Sequence, residues 1–101
     1  MDQEYFFDQL KDELCGAKDY IVKAIEIKAM DSNWGKMFYD MSVQELNHAT
    51  NIFKMAQDYY VKVTSAYKEP PAHLQGLMKD ISAVYTEQYA IVKYMQEAYS
   101  K

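Results

Sequence analysis

The sequence predicts an all-α fold made of three long helices. Apolar residues recur every three or four positions over long stretches, which is the spacing of one helix face. The 101 residues include only 3 glycines and 2 prolines, too few for the many turns of a β fold. Turn-forming residues cluster at Asp31-Ser32-Asn33 and at Pro70-Pro71. We therefore expect one domain, residues 1–101, with helices at about 4–30, 33–66 and 72–99, the first two forming an antiparallel hairpin.

A carboxylate lies on the apolar side of the first predicted helix. The apolar residues of that side are Phe6, Leu10, Leu14, Ala17, Ile21, Ala24 and Ile27. Glu13 lies among them, and Tyr20 follows two turns later on the same side. Because a buried carboxylate needs a partner, we expect Glu13 either to join a polar site or to pair with a lysine of a neighbouring helix.

The second predicted helix has two apolar faces. The first, here called the Glu45 face, consists of Trp34, Phe38, Met41, Glu45, His48, Ile52, Met55, Tyr59 and Val63. The second, here called the Leu46 face, consists of Tyr39, Leu46, Ala49, Phe53 and Tyr60. We expect the Glu45 face to be buried, so that Glu45 and His48 must be paired, hydrogen-bonded or bound to a metal ion. Two apolar faces offer more surface than two neighbouring helices cover.

An alternative interpretation breaks this helix near Asp40. Ser42-Val43-Gln44-Glu45 matches the capping box, in which a serine begins a helix and a glutamate three residues later bonds back to it. Against this, the residues before Asp40 and those after Ser42 continue the Glu45 face in a single phase. The common phase favours one uninterrupted helix.

The third predicted helix follows Pro70-Pro71. Its apolar side is formed by Leu74, Leu77, Ile81, Val84, Gln88, Ile91, Met95 and Tyr99. Glu87 and Tyr94 repeat the spacing of Glu13 and Tyr20, which suggests a decayed second copy of the first helix. However, Glu87 lies about 90° away from the centre of the apolar side. A plain packing helix is the simpler interpretation, and Glu87 is kept as a weaker additional candidate ligand.

These residues resemble one half of a ferritin-like or rubrerythrin-like di-iron protein. The resemblance covers about residues 6–60 and depends on Glu13-x6-Tyr20, on Trp34 after a polar turn, and on Glu45-x-x-His48-Ala49. Since the motif occurs once, the chain is most similar to the half-length encapsulated ferritins. The resemblance implies a four-helix bundle completed by dimerisation, with a di-iron site at the two-fold interface. It also implies that Glu13, Glu45 and His48 are metal ligands, with Tyr20 hydrogen-bonding around them.

The same resemblance implies a function. Oxygen and nitrogen ligands suit iron, with manganese as a second choice, whereas the lack of thiolate clusters disfavours a structural zinc site. We expect iron oxidation or chemistry with dioxygen or peroxide, as in a ferroxidase or a peroxidase-like oxidoreductase. The alternative is a metal-free helical interaction or structural module, for example a small phage or bacterial protein, in which the same residues form a buried Glu/His network.

Charge and cysteine content exclude several other classes. The net charge is −4 and all 11 basic residues are lysines, so nucleic-acid binding is not expected. Cys15 is the only cysteine, which rules out an internal disulfide. The acidic N-terminus and the absence of a long apolar run predict a cytoplasmic protein that does not bind membranes.

Overall fold

The computed structural model describes residues 1–101 and contains three α-helices and no strand. The helices are α1 (Gln3–Ile27), α2 (Ser32–Thr64) and α3 (Ala72–Ser100). The all-α fold class is therefore confirmed, and each helix end lies within three residues of its predicted position. None of the helices combines the length and the apolar character needed to cross a membrane.

The helix starts follow from local sequence. Asp2 and Asp31 precede α1 and α2, and each accepts a hydrogen bond at 3.0 Å from a backbone N–H three residues later, on Tyr5 and on Trp34. These aspartates satisfy N–H groups that have no partner within the helix. Before α3, Pro71 ends the extended connection and leads directly into the helix.

The second helix is continuous from Ser32 to Thr64, so the capping-box alternative is wrong. Ser42 lies inside the helix rather than at its start. Its hydroxyl donates to the backbone carbonyl of Ala17 in α1 at 2.7 Å instead of to its own helix. Glu45 is therefore free of any capping role.

Close packing of α1 against α2 depends on small residues repeated every seven positions. On α2 the buried residues with this spacing are Gly35, Ser42, Ala49 and Ala56. On α1 the matching buried residues are Gln3, Leu10, Ala17 and Ala24. A seven-residue spacing keeps one side of a helix facing the same neighbour over many turns. The small side chains on α2 let the two backbones approach closely.

Two contacts besides Ser42–Ala17 show the antiparallel register of this pair. At one end, the Gln3 side chain donates to the carbonyl oxygen of Ala56 at 3.0 Å. At the other, a side chain on Gly35 would meet the backbone of Lys28 at 3.1 Å and the carbonyl oxygen of Ala24 at 3.5 Å. The α1–α2 hairpin predicted from the sequence is present.

The third helix packs across both members of the hairpin and runs antiparallel to α2. Tyr85 of α3 stacks on Phe53 of α2 with ring centroids 4.2 Å apart, and Tyr99 stacks on Tyr39 at 4.9 Å. The result is an elongated bundle with extents of 57 × 20 × 15 Å. A slender three-helix bundle of this kind has little interior, and only 16 of 101 residues are buried.

The Glu45 face of α2, predicted to be buried, is buried only in part: Phe38, Ile52 and Tyr59 pack against the core, but other members are exposed. Trp34 is 57% exposed and Met55 is 53% exposed, although both belong to the Glu45 face. The buried residues of the helix instead include Leu46 and Ala49 of the Leu46 face. The reason is size: α1 and α3 pack where α2 carries glycine, serine and alanine, because those residues permit the closest backbone approach.

The apolar side of α3 also differs from the prediction in its second half. Ile81 is buried as expected, but Ile91 is exposed and Gln88 only partly buried. Val92 and Gln96 are buried in their place. Gln96 donates to the Ser42 hydroxyl at 3.0 Å, so a buried polar contact fixes which side of α3 faces the hairpin.

The close approach of the helices predicts a strong dependence on side-chain size at Ala49. Replacing Ala49 with leucine forces a large side chain between α1 and α2 and should lower the free energy of unfolding by about 1–3 kcal/mol. The matched control is Ala90→Leu, the same change at an exposed position of α3, which should change stability by less than about 0.5 kcal/mol. Urea unfolding followed by circular dichroism measures both. Equal effects of the two substitutions would contradict this packing.

Candidate metal centre

Three side chains that can bind metal meet on one side of the hairpin. Glu13 comes from α1, and Glu45 and His48 come from successive turns of α2. One ligand atom of each lies within 4.8 Å of the other two. The His48 Nδ1 atom is 3.6 Å from Glu13 Oε2 and 3.7 Å from Glu45 Oε1. The structure thus brings together the three residues singled out in the sequence.

The register of the two helices explains why these residues are level. Glu13 is one turn before Ala17 on α1, and Glu45 is one turn after Ser42 on α2. Because the helices are antiparallel, both steps from the Ser42–Ala17 hydrogen bond lead in the same direction. The carboxylates therefore meet about one turn away from that bond.

A glycine makes room for one of the carboxylates. A side chain on Gly16 would lie 3.2 Å from Glu45 Oε2, which is closer than an ordinary contact. Glycine inside a helix costs roughly 0.5–1 kcal/mol relative to alanine, so its presence here has a structural use. Sequence reasoning overlooked Gly16, although a glycine in the middle of a helical segment, three residues after Glu13, was a visible signal.

The two carboxylates repel each other. The pKa of Glu13 is raised above its ordinary value, first because its carboxyl group, when protonated, can donate a hydrogen bond to Glu45, then by desolvation and by the charge of Glu45. His48 opposes this shift only in part. Two carboxylates can share a hydrogen bond only while one of them holds a proton, so the raised pKa reflects an unmet need for positive charge.

The need for positive charge is clearest at one oxygen atom of Glu13. Glu13 Oε2 is buried and accepts no hydrogen bond within the chain. A buried charged oxygen without a donor is costly, and a cation or a proton would satisfy it. No lysine takes this place: the only ion-pair partner of Glu13 is His48, so the predicted lysine alternative is wrong.

Distances and donor types fit a divalent transition-metal ion. Two ligand atoms that each bind an ion at about 2.0–2.2 Å can be separated by up to about 4 Å. The separations of 3.6 and 3.7 Å at His48 fall within that limit. Two carboxylates and one imidazole are the oxygen and nitrogen ligands that iron and manganese accept.

The site is open on one side. The Glu13 side chain is 24% exposed, whereas that of His48 is 55% exposed. The opening lies on the Glu45 face of α2, which α1 covers only in part: Phe38 and Tyr59 of this face contact α1, whereas His48 remains exposed. A single chain therefore offers three ligands and leaves the remaining directions free.

Two other candidate residues do not reach the cluster. Tyr20 stacks on Phe38 with ring centroids 6.3 Å apart, and no hydrogen bond joins it to the three ligands. Glu87 is exposed on α3 and lies outside the group. On the other hand, Ser42 and Gln96, which the sequence did not mark as important for the site, form a buried hydrogen bond one turn below it.

We compared the chain with protein-family models, with curated proteins and with solved structures. None of these comparisons found a match. Support for a function comes instead from the arrangement of Glu13, Glu45 and His48.

Proposed function

We propose that this chain is a non-haem iron-binding protein whose ligands are Glu13, Glu45 and His48. The observation that carries the proposal is the buried Glu13 Oε2, which lacks a hydrogen-bond donor beside a second carboxylate and an imidazole. An iron ion would neutralise the two carboxylates and use the three side chains as ligands. Manganese is the second choice, since it accepts the same ligands.

In this proposal a second copy of the chain completes the site. Two hairpins related by a two-fold axis would provide four helices, four carboxylates and two imidazoles. That is the ligand set of a di-iron carboxylate bundle. The exposure of His48 supports the arrangement, because the open side of the cluster faces away from the chain's own core.

The surface around His48 is suited to such a partner. Trp34, Met37, Phe38 and Met41 line a shallow apolar pocket of about 220 Å³ on the same side of α2. Met55 is exposed on the other side of His48. If two α2 helices pack antiparallel with the axis between Glu45 and His48, each helix sets its Phe38 level with the Met55 of the other. Both exposed apolar regions would then be covered.

Bound iron would supply the redox chemistry, and we propose iron oxidation or the reduction of dioxygen or peroxide as the reaction class. The protein side chains have separate tasks. The carboxylates of Glu13 and Glu45 can change between chelating and bridging modes, which accommodates two oxidation states. Because the pKa of Glu13 is raised, protons compete with the metal for this residue, so iron binding should weaken as the pH falls.

A metal-free Glu/His network is the competing function, and the geometry favours it less. A network that specifies packing should satisfy its buried polar atoms with hydrogen bonds. Here Glu13 Oε2 has none, and His48 is more than half exposed. The network would also make the three side chains stabilising in the absence of metal, which is testable.

Iron binding is the first prediction of this proposal. Purified protein loaded anaerobically with Fe(II) should bind about one ion per chain, or two per dimer, because each copy contributes half of a di-iron ligand set. His48→Ala and Glu45→Ala should abolish tight binding, and Glu13→Ala should lose most of it. Elemental analysis after desalting gives the stoichiometry, and a metal-dependent shift of the melting temperature gives an independent measure.

Glu87→Ala is the matched control, because this glutamate is exposed on α3 and outside the cluster. It should leave iron binding unchanged. Wild-type protein that takes up no iron, manganese or zinc, with a melting temperature insensitive to all three, would exclude the metal site.

Dimerisation is the second prediction. Light scattering at micromolar concentration should return at least a dimer for the wild type. Met41→Lys places a charge in the proposed interface and should yield a monomer with weakened iron binding. Ile91→Lys is the control, because Ile91 and Met41 are equally exposed, at 37%, but lie on different helices. A well-folded wild-type monomer, with and without iron, would overturn the two-fold arrangement.

The third prediction concerns pH and stability without metal. A carboxyl group with a raised pKa in the folded state stabilises the fold below its unfolded pKa, and that stability is lost as the pH rises through the folded pKa. Glu13→Gln removes the titrating group, so the variant should be more stable than the wild type at pH 7. The difference should shrink as the pH falls below about 4, because the carboxyl group then becomes protonated in the unfolded state as well as in the folded state.

Thermal unfolding of both proteins across this pH range provides the measurement, with Glu87→Gln as an exposed control. A metal-free network predicts the opposite sign, since the substitution would then remove a stabilising contact. A Glu13→Gln variant that is less stable at pH 7 would therefore favour the network over the metal site.

A further inference from the structure

We propose that Ser42 and Gln96 are positioning residues for the metal ligands, so that α3 controls a site to which it contributes no ligand. This inference depends on the proposed function for its metal-binding readout. It goes beyond that function because it assigns a role to the third helix and to two residues outside the cluster.

The two residues join all three helices through one line of hydrogen bonds. Gln96 Nε2 of α3 donates to Ser42 Oγ of α2 at 3.0 Å. Ser42 Oγ in turn donates its single proton to the carbonyl oxygen of Ala17 in α1 at 2.7 Å. Ser42 and Gln96 are both almost completely buried. Breaking either bond would leave buried polar atoms without partners, so the arrangement is strongly preferred.

The Ser42–Ala17 bond acts on the local alignment of α1 with α2. The four residues that connect the two helices, 28–31, already exclude a slip by a whole seven-residue repeat, which would move one helix by about 10 Å. A much smaller displacement or rotation near Ser42 is enough to separate Glu13 from Glu45, because the two carboxylates come from different helices. The buried hydrogen bond opposes such a displacement, since a displaced bond leaves buried polar atoms without partners.

The position of the Ser42–Ala17 bond makes its effect on the site direct. Ala17 is four residues after Glu13, and Ser42 is three residues before Glu45. No other hydrogen bond between α1 and α2 lies this close to the ligands; the remaining side-chain bond between these helices is that of Gln3, at the far end of α1. Local shifts of the backbone at Ser42 are therefore transmitted to Glu45 within one turn.

Gln3 provides a matched control for the same chemistry. Like Gln96, it is 2% exposed and uses its side-chain amide to link helices. It donates to the Ala56 carbonyl oxygen of α2 at 3.0 Å and contacts the sulfur of Met78 in α3 at 3.1 Å. The Gln3 contact is two seven-residue repeats away from Ser42, so it can stabilise the bundle without acting on the ligands.

The experiment compares Ser42→Ala, Gln96→Met and Gln3→Met with the wild type. Methionine is close to glutamine in shape but lacks its N–H donors. All three variants should melt at lower temperature than the wild type. In anaerobic Fe(II) titrations, Ser42→Ala and Gln96→Met should bind on the order of 10–100-fold more weakly, the effect typical of residues that orient metal ligands. Gln3→Met should keep the wild-type affinity. Equal affinities in all four proteins would overturn the proposal.

A second measurement needs no metal. Spin labels on the native Cys15 of α1 and on an introduced Lys36→Cys of α2, both exposed, report the local alignment of the two helices around the Ser42–Ala17 bond as a distance in chains diluted with unlabelled protein. Ser42→Ala and Gln96→Met should shift or broaden this distance, and Gln3→Met, whose bond lies far from both labels, should not. If the wild type binds no iron but the distance behaves in this way, the proposed function fails while the control of this alignment by α3 is retained. An unchanged distance in Ser42→Ala and Gln96→Met would refute that control.

Discussion

The hydrogen bond from Ser42 to the Ala17 carbonyl lies within the close contact of α1 with α2, and much of the structure depends on that contact. The two backbones pack closely along a seven-residue repeat, because α2 carries only small side chains at Gly35, Ser42 and Ala49. With only 16 buried residues, the chain cannot gain stability from a thick core and uses close contact instead. The same contact determines which side chains stand level across the pair.

The close packing of α1 against α2 brings the two carboxylates of the candidate metal centre together, which costs electrostatic free energy. Register forces Glu13 against Glu45, and Gly16 removes the bulk that would keep them apart. Repulsion and desolvation then raise the pKa of Glu13, and His48 compensates only in part. A fold selected for stability alone would not retain such an arrangement, because an apolar residue at Glu13 would remove both the repulsion and the buried oxygen without a donor. We interpret the cost as the signature of a site that binds a cation.

The unequal burial of the two faces of α2 is the observation on which the proposed association rests. The Leu46 face packs within the chain, whereas Trp34, Met55 and the open side of His48 remain on the Glu45 face. An apolar surface around the three candidate ligands is the kind of surface that the proposed two-fold assembly would cover. The third helix packs against the Leu46 face through Tyr85 and Tyr99, and its Gln96 donates a hydrogen bond to Ser42.

Sequence periodicity was sufficient to predict the three helices and their two breaks, and it placed Glu13 on one helix and Glu45 with His48 on the next. That the three side chains stand level was decided by the alignment of α1 with α2 in the tertiary structure. Periodicity also showed that α2 has two apolar faces, but it could not decide which one is buried. That choice depends on how closely a neighbouring backbone can approach, which is a property of the small residues and of the partner helices together. The roles of Gly16, Ser42 and Gln96 were likewise decided by the tertiary structure, because each acts through a contact with a residue distant in sequence.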